Sequence, residues 1–269
     1  MRILSIESSC DDTGITIFEA KGSVTNASFK ILSDNLASQT IHAEYGGVFP
    51  VLAKKEHAKN LPILLENALK KTKLDKKKKP VDAIAVTYGP GLEMCLWEGI
   101  TFAKDLAKKW SAGRRSTIPI IPTNHMEGHI LSIFGKHKGA FKVEKLKLPI
   151  LALLVSGGHT QLVLMKKWME YEIIGETVDD AVGEAFDKVA RMLELPYPGG
   201  PKIGKLADEF RASGKTSEFS FPRPMMRTDD YLFSFSGLKT SVLYTIQKLE
   251  AITDAQKMNI AGEFEDAVF

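Results

Sequence analysis

Two histidines four residues apart are the residues in this sequence best placed to do chemistry. His125 and His129 lie in the segment Thr-Asn-His-Met-Glu-Gly-His, residues 123–129. On a helix, positions i and i+4 share one face, so both imidazoles can reach a single metal ion. Zinc or iron would still need a third protein ligand, typically a carboxylate, and an open position for water or substrate. The spacing predicts half of a metal site, and the alternative is an exposed or hydrogen-bonded pair without metal.

The helix of zinc metalloproteases has a related spacing but a different acid. There the glutamate directly follows the first histidine and acts as general base. Here Met126 occupies that position and the acid is Glu127. A metalloprotease therefore stays only a remote alternative.

Composition indicates an ordinary water-soluble protein. The 269 residues are 44% hydrophobic and 26% charged, and this length favours two domains. No apolar run approaches the roughly 18 residues of a membrane-spanning helix, and acids stand where a signal peptide needs its apolar segment. Cys10 and Cys95 lack metal-binding spacing and give no sign of an oxidising compartment. We expect a cytoplasmic protein with no membrane partner.

Basic residues are clustered although the net charge is only +3. Such clusters are usually solvated surface, but they also suit a polyanion such as RNA. The clusters are Lys70, Lys71, Lys73 and residues 76–79; Lys104, Lys108, Lys109, Arg114 and Arg115; and the stretch 136–147.

One order of elements occurs twice along the chain. Apolar alternation predicts two strands around a short polar tip, then a third strand and a helix. The first copy has strands at 2–8, 14–18 and 29–37 and a helix at 50–72; the second has strands at 149–155, 160–165 and 171–175 and a helix at 179–193. A repeat of about 150 residues that opens with a three-stranded meander predicts an α/β protein of two lobes, whose polar tips face one cleft.

The first copy is expected to be complete and the second is not. After a basic linker at 73–80, the first continues with strands at 81–87 and 118–121, and helices at 93–110 and from the histidine pair to about residue 134. A loose basic segment, 135–147, then separates lobes 1–148 and 149–269. The second copy offers only a short strand at 219–221 and helices at 203–210, 233–249 and 254–269. We therefore expect an incomplete second lobe.

Two polar segments of the first lobe are candidates for binding phosphate. The tip at residues 8–13 offers Ser9, Asp11 and Thr13. Polar tips that face each other across a cleft hold nucleotide phosphates in folds of the actin, Hsp70 and sugar kinase class. The turn at 88–92, between a strand and a helix, leaves backbone N–H groups at a helix N-terminus. A plain tight turn is the alternative for 88–92.

Together these motifs resemble the TsaD family of bacterial tRNA N6-adenosine threonylcarbamoyltransferases, also called the glycoprotease or O-sialoglycoprotein endopeptidase family. The resemblance implies the two-lobed actin/Hsp70/sugar-kinase-like fold. It also implies transfer of a threonylcarbamoyl group from threonylcarbamoyl-adenylate to N6 of adenosine 37 in tRNAs that read codons starting with A. The matching segments are residues 6–13, 42–50, 89–92, 124–129, 154–161, 183–188, 197–201 and 233–240.

The resemblance further assigns ligands and partners. It implies a metal, Fe²⁺ or alternatively Zn²⁺, held by histidines that look like His125 and His129. The implied partners are tRNA, the paralogous TsaB subunit and the TsaE ATPase, with TsaC supplying the adenylate; a homodimer is also considered. The residues that look like the substrate-binding ones are Leu154, Val155, Ser156, Gly157, Gly158, Asp187 and Gly200. A plain hairpin turn is the alternative for the two glycines, and a surface helix acid for Asp187.

Two departures from the family pattern affect the expected activity. Residues 93–97, Glu-Met-Cys-Leu-Trp, stand where the family has small residues after Gly-Pro-Gly-Leu. The sequence also ends at Phe269, whereas family members continue to a substrate-binding Asn and to an Asp that is the third metal ligand. A non-catalytic or inactive truncated scaffold subunit of the same complex is therefore the alternative to an active transferase.

Overall fold

A computed structural model describes residues 1–24, 26–113, 117–136, 139–143 and 146–269. The chain divides into two compact units, Met1–His42 with Val48–Leu146 and Ala43–Gly47 with Lys147–Phe269. Residues 43–47, assigned to the first lobe from the sequence, are thus grouped with the second unit. Of the predicted basic clusters, Arg114, Arg115, Lys138 and Lys145 lie outside the described residues.

The first unit contains a seven-stranded mixed sheet flanked by helices. Its strands lie in the order β5-β4-β1-β2-β3-β7-β6. The predicted order of elements through α3 is confirmed. The elements are β1 Arg2–Glu7, β2 Asp12–Lys21, β3 Ser28–Ser38, α1 Pro50–Lys71, β4 Ala83–Gly89, α2 Glu93–Ser111, β5 Ile120–Asn124, α3 His125–Leu131, β6 Gly135–Lys136 and β7 Ala140–Lys142, with short 3₁₀ turns at Thr40–Tyr45 and Ser132–Phe134.

The register of this sheet places the ends of three strands at one edge. β1 pairs antiparallel with β2, Ile3 opposite Phe18, and parallel with β4, Ile3 opposite Ala83. β4 pairs parallel with β5. The carboxyl ends of β1, β4 and β5 therefore meet at a common edge. Alternating residues of these strands and of β2 fill the core, among them Leu4, Ile6, Ile15, Ile17 and Ile84.

One segment of the first unit differs from the sequence prediction. Residues 135–147 were expected to be loose, but β6 and β7 pair with each other and β7 pairs with β3. Phe141 lies edge-to-face against Phe29, with ring centroids 5.3 Å apart, and against Phe134 at 5.9 Å. Strands of two and three residues are too short to show alternation, so aromatic packing on β3 decides their pairing.

The second unit opens with the predicted meander and continues with helices. β8 Ile150–Val155, β9 Thr160–Lys167 and β10 Glu170–Glu176 form an antiparallel sheet in the order β10-β9-β8. A second core includes Leu193, Ile203, Leu238, Ile260 and Phe264. The α/β class and the repeated three-stranded opening are confirmed. The helices are α4 Val182–Met192, α5 Gly200–Ala212, α6 Ser236–Gln247 and α7 Asp254–Val268.

The strand predicted at residues 219–221 is wrong. The segment is irregular: Phe221 is buried in the helical core, and its N–H donates to Glu263 Oε1 at 3.3 Å. The alternation Phe-Ser-Phe fits a strand, but it equally fits an extended segment that covers helices with its aromatic side chains.

Of the helices in the described residues, none has the length and apolar character needed to cross a membrane.

Candidate functional site

The histidine pair lies where β5 passes into α3. Asn124 ends the strand, and its side-chain oxygen accepts the N–H groups of Met126 at 2.9 Å and Glu127 at 3.1 Å. This N-cap starts the helix at His125, so His125 and His129 share one face as predicted. Their Nε2 atoms are 3.0 Å apart and the rings meet edge-to-face. Both ring nitrogens thus face the same small region.

A carboxylate at the end of β1 contacts the other nitrogen of His125. Glu7 Oε2 lies 3.2 Å from His125 Nδ1 and accepts a hydrogen bond from Thr87 Oγ1 at 2.7 Å. Glu7 Oε1 accepts the N–H of Ser9 at 2.6 Å. Burial alone would raise the pKa of Glu7, but the hydrogen bonds from His125, Ser9 and Thr87 outweigh it and lower the pKa to about 2. Glu7 is therefore a carboxylate at neutral pH and favours a proton on Nδ1 of His125.

This arrangement fits a metal ion on the side of His125 that faces His129. A neutral imidazole protonated at Nδ1 has its lone pair on Nε2, and a carboxylate bonded to Nδ1–H is the usual orienting partner of a metal-ligating histidine. Glu7 contacts the far nitrogen, so it orients His125 and does not complete the ligand set. Within the described ranges there is no group of three His, Cys, Asp or Glu side chains that could hold a metal. The first unit supplies two nitrogen donors and one orienting acid.

Side chains of the tip between β1 and β2 contact two different histidines. Ser9 is buried, with its Oγ 3.2 Å from His125 Nδ1, and Asp11 is half-buried. Thr13 is fully buried, and its Oγ1 lies 2.8 Å from His57 Nδ1 on α1. His57 Nε2 lies 2.9 Å from the carbonyl of Cys10, which can only accept, so Thr13 donates to Nδ1. Burial lowers the pKa of His57, which keeps the ring neutral.

The predicted phosphate role of Ser9, Asp11 and Thr13 stays a prediction. The structure brings Ser9 to the histidine pair, whereas the Thr13 hydroxyl is directed into the protein and ties the tip to α1. A phosphate at Thr13 would have to displace His57.

The glycine turn after β4 packs directly on this tip. Leu92 N–H donates to the carbonyl of Ser9 at 2.7 Å, and a Cβ on Gly91 would lie 2.5 Å from that same oxygen. Ser8 Oγ donates to the carbonyl of Cys95 at 3.0 Å. These contacts fasten the turn to the tip, because glycine at 91 permits the close approach. The phosphate role of residues 88–92 stays a prediction beside the plain-turn alternative.

In the second unit, the loop between β8 and β9 lies against the N-terminus of α4. Ser156 Oγ accepts the N–H groups of Gly158 at 3.3 Å and His159 at 3.0 Å. Gly183 N–H donates to the Ser156 carbonyl at 3.2 Å, and a Cβ on Gly183 would lie 2.6 Å from that oxygen. Gly157 and its neighbours therefore form a tight loop that is held by hydrogen bonds to its own backbone and to α4. The preceding strand buries Leu154 and leaves Val155 exposed.

Asp187 fixes the start of the next helix. Its Oδ1 accepts the N–H of Gly199 at 2.7 Å, and α5 begins one residue later at Gly200. A Cβ on Gly199 would lie 2.4 Å from Ala190 Cβ, so α4 and the start of α5 are in close contact. The structure thus places Asp187 beside Gly199, one residue before Gly200, and the substrate role of Asp187 and Gly200 stays a prediction.

Sequence reasoning missed three residues around these sites. Glu7 lies within the family segment 6–13, and its signal is an acid that ends a strand rich in Ile and Leu. His57 stands on the apolar stripe of α1 with Ala53 and Leu61, a position that requires a buried polar partner. Thr87 lies near the end of β4 beside Glu7 and gives no signal in the sequence.

Comparison with known proteins identifies the family. A family profile described as "TsaD: tRNA N6-adenosine threonylcarbamoyltransferase" matches residues 30–269. A Thermosipho africanus protein named tRNA N6-adenosine threonylcarbamoyltransferase is 44% identical over 269 residues, which cover all of this chain and 73% of that protein. A Neisseria gonorrhoeae protein of the same name is 42% identical over 274 residues, covering all of this chain and 71% of its own length. The chain belongs to the TsaD family.

Among solved structures the similarities are weaker. YeaZ from Pseudomonas aeruginosa aligns with a TM-score of 0.37 and 12% identity, over 64% of this chain and 65% of that one. A PPX-GPPA enzyme from Aquifex aeolicus aligns with a TM-score of 0.36 and 15% identity, over 82% of this chain and 66% of that one.

Proposed function

We propose that this chain transfers a threonylcarbamoyl group from threonylcarbamoyl-adenylate to N6 of adenosine 37 in tRNAs that read codons starting with A. Membership of the TsaD family supports the reaction class. The observation that carries the proposal is the set Glu7, His125 and His129, in which a half-buried carboxylate orients one of two facing imidazoles. An exposed histidine pair without function would not need this acid.

The proposed chemistry is an acyl transfer with AMP as leaving group. The adenosine N6 forms a bond to the carbamoyl carbon, the bond from that carbon to the phosphate oxygen breaks, and N6 loses a proton. Fe²⁺, or alternatively Zn²⁺, bound by Nε2 of His125 and His129 would supply a Lewis acid for the carbamoyl oxygen. Glu7 holds the proton on Nδ1 of His125 and so keeps Nε2 available as a ligand.

In the second unit, the residues suited to the adenylate are the loop 156–158 and Asp187. The loop contacts the N-terminus of an eleven-residue helix, α4, whose partial positive charge favours an anion such as the phosphate. A carboxylate such as Asp187 can accept hydrogen bonds from ribose hydroxyls. Gly157 and Gly158 have open space where a side chain would stand, which permits a ligand to approach the backbone.

A non-catalytic scaffold subunit of the same complex is the second candidate. One observation favours it, because the described residues contain no group of three side chains that could hold a metal. In either role we propose tRNA, the TsaB subunit and the TsaE ATPase as partners, with TsaC supplying the adenylate. Retention of both histidines with an orienting carboxylate favours the catalytic role over the scaffold.

Nucleoside mass spectrometry tests the proposal. The chain is incubated with tRNA, its partner proteins and an adenylate-generating system, and the tRNA is then digested to nucleosides. We expect threonylcarbamoyladenosine with the wild type and none with His125→Ala or His129→Ala. No product above the blank from the wild type would refute the catalytic role, and equal product from the wild type and both variants would refute the role of the pair.

A further inference from the structure

The described lysines of two basic clusters lie at the same end of the first unit. β3 runs parallel to β1, because β2 is antiparallel to both. α1 therefore starts at the edge where β3 ends and returns to the edge where β4 begins, and α2 returns in the same way from β4 to β5. The two helices also contact each other. Their carboxyl ends thus reach the same edge of the sheet, opposite the edge that holds the histidine pair.

The chain between α1 and β4 is held in place at this end. Leu74 and Val81 are buried in the core of the first unit together with Trp110 at the end of α2. Leu74 N–H donates to the carbonyl of Leu69 and Lys77 N–H to that of Leu74. The linker is therefore an ordered turn that presents its lysines outward, and α2 presents its last lysines beside it.

Charge is concentrated here well beyond the average of the molecule. Residues 70–82 and 105–111 carry nine lysines and three aspartates, a net charge of +6, whereas the whole chain has +3. All nine lysines are exposed. Two have acidic partners, Lys70 with Glu66 and Lys79 with Asp82 at 3.5 Å. Across the described part of the chain the others form no ion pair; these are Lys71, Lys73, Lys76, Lys77, Lys78, Lys108 and Lys109, here called the basic end.

Helix electrostatics account for only part of the basic end. Lysines in the last turn of a helix are stabilised by the partial negative charge of its carboxyl terminus, which covers Lys71, Lys108 and Lys109. Lys76, Lys77 and Lys78 lie beyond the end of α1 and gain nothing from it. Like charges side by side repel each other, so their concentration on an ordered turn indicates a polyanionic partner.

We infer that the basic end binds the phosphate backbone of the tRNA, away from the nucleotide that is modified. The inference rests on the proposed function, because tRNA is chosen as the polyanion on the ground that it is the substrate of the proposed reaction. β1 has six residues and spans about 20 Å, and α1 with 22 residues spans about 33 Å, so an RNA that presents a base at the histidine pair needs to extend roughly 20 to 30 Å to contact the basic end. Lysine is a point charge suited to phosphate without regard to sequence. Leu74, the one apolar residue between 73 and 79, is buried, which favours RNA over insertion into a membrane surface.

Binding of a fluorescently labelled tRNA transcript across a series of KCl concentrations tests the inference. Two triple variants of the whole chain each remove part of the basic end. One replaces Lys76, Lys77 and Lys78 with Gln, and the other replaces Lys71, Lys108 and Lys109 with Gln. The matched control replaces three exposed lysines elsewhere, Lys55, Lys202 and Lys215→Gln. We expect each basic-end variant to bind tRNA roughly tenfold more weakly near 0.1 M salt and to reduce the slope of log K against log salt by about 2 to 3, since each lost phosphate contact removes about one unit.

The inference is overturned if both variants bind tRNA like the control, or if only their binding to phosphatidylserine vesicles falls. It is also overturned if the wild type binds no tRNA. Formation of threonylcarbamoyladenosine by the wild type is measured in parallel and reports on the proposed function alone. If the wild type forms product and both basic-end variants bind tRNA like the control, the role of the basic end is refuted and the proposed function stands. If the wild type forms no product and the basic-end variants bind tRNA more weakly, the proposed function is refuted and the role of the basic end stands.

Discussion

At the scale of single residues, the proposed metal chemistry of the first unit depends on which nitrogen of His125 carries a proton. Glu7 settles this through a hydrogen bond across 118 positions of sequence, and Thr87 and Ser9 hold the acid in place. An orienting carboxylate typically raises metal affinity because it fixes ring orientation and ligand basicity.

Glu7→Gln is therefore expected to weaken metal binding without removing a ligand. The amide keeps the size of the side chain but loses the charge that holds the proton on Nδ1. Affinity for Zn²⁺, measured by competition with a fluorescent chelator, should fall about 10- to 100-fold. Glu19→Gln, which removes an exposed partner of Arg2 in the same unit, should change it little. Equal affinity in the two variants would contradict the orienting role.

At the scale of elements, a pair of aspartates joins three parts of the second unit. Asp179 accepts the N–H groups of Phe235, at 2.8 Å, and Ser236 at the start of α6. Asp180 pairs with Lys239 on α6, at 2.5 Å, and with Lys188 on α4, at 3.1 Å. The segment that follows β10 thus holds α4 and α6 together. For Asp180, burial acts to raise the pKa, but the bonds from Lys239 and Lys188 outweigh it and hold the pKa below its ordinary value.

Asp180→Asn should destabilise the protein at neutral pH and much less in acid. A carboxyl whose pKa is lowered by folding stabilises the folded state above its ordinary pKa of 3.8 and loses this contribution as pH falls through the lowered value. The loss at pH 7 should be about 2 kcal/mol, since the bonds are charge-assisted and Asp180 is largely buried. Urea unfolding at pH 7 and at pH 3 measures the difference. The exposed pair Lys166 and Glu172 provides the control, and Glu172→Gln should cost less than about 1 kcal/mol at pH 7. A pH-independent loss for Asp180→Asn would be inconsistent with this account.

At the scale of the whole molecule, the described residues form two separate cores. The first is built from the sheet with α1 and α2, and the second from α4 to α7. Each unit carries its own part of the proposed chemistry, the histidine pair in one and the loop 156–158 with Asp187 in the other. Separate cores can open separately.

Leu238→Ala should therefore destabilise the second unit by about 2–5 kcal/mol, because it leaves a cavity at a fully buried position. Hydrogen exchange followed by mass spectrometry should show faster exchange in α4 to α7 and unchanged protection in β1 and β4. Leu4→Ala in the first core should give the opposite pattern. Faster exchange in both units from either variant would mean that the molecule unfolds as a single unit.

The sequence by itself determined the local features of this protein. Alternation and helical spacing predicted both meanders, the helices from α1 to α7 and the shared face of His125 and His129, because each depends on neighbours a few positions apart. Family motifs were recognisable for the same reason. The strand predicted at 219–221 is wrong because the same local pattern fits two structures. The sequence missed β6 and β7 because they are too short to show a pattern.

Only the tertiary structure decided which distant residues meet. The parallel pairing of β1 with β4 and of β4 with β5 brings Glu7 and Thr87 to His125, and the return of α1 and α2 to one edge joins lysines that lie some thirty positions apart. These pairings follow from burying the sheet against α1 and α2, a constraint on the whole first unit that leaves no periodic trace at Glu7 or Thr87 themselves.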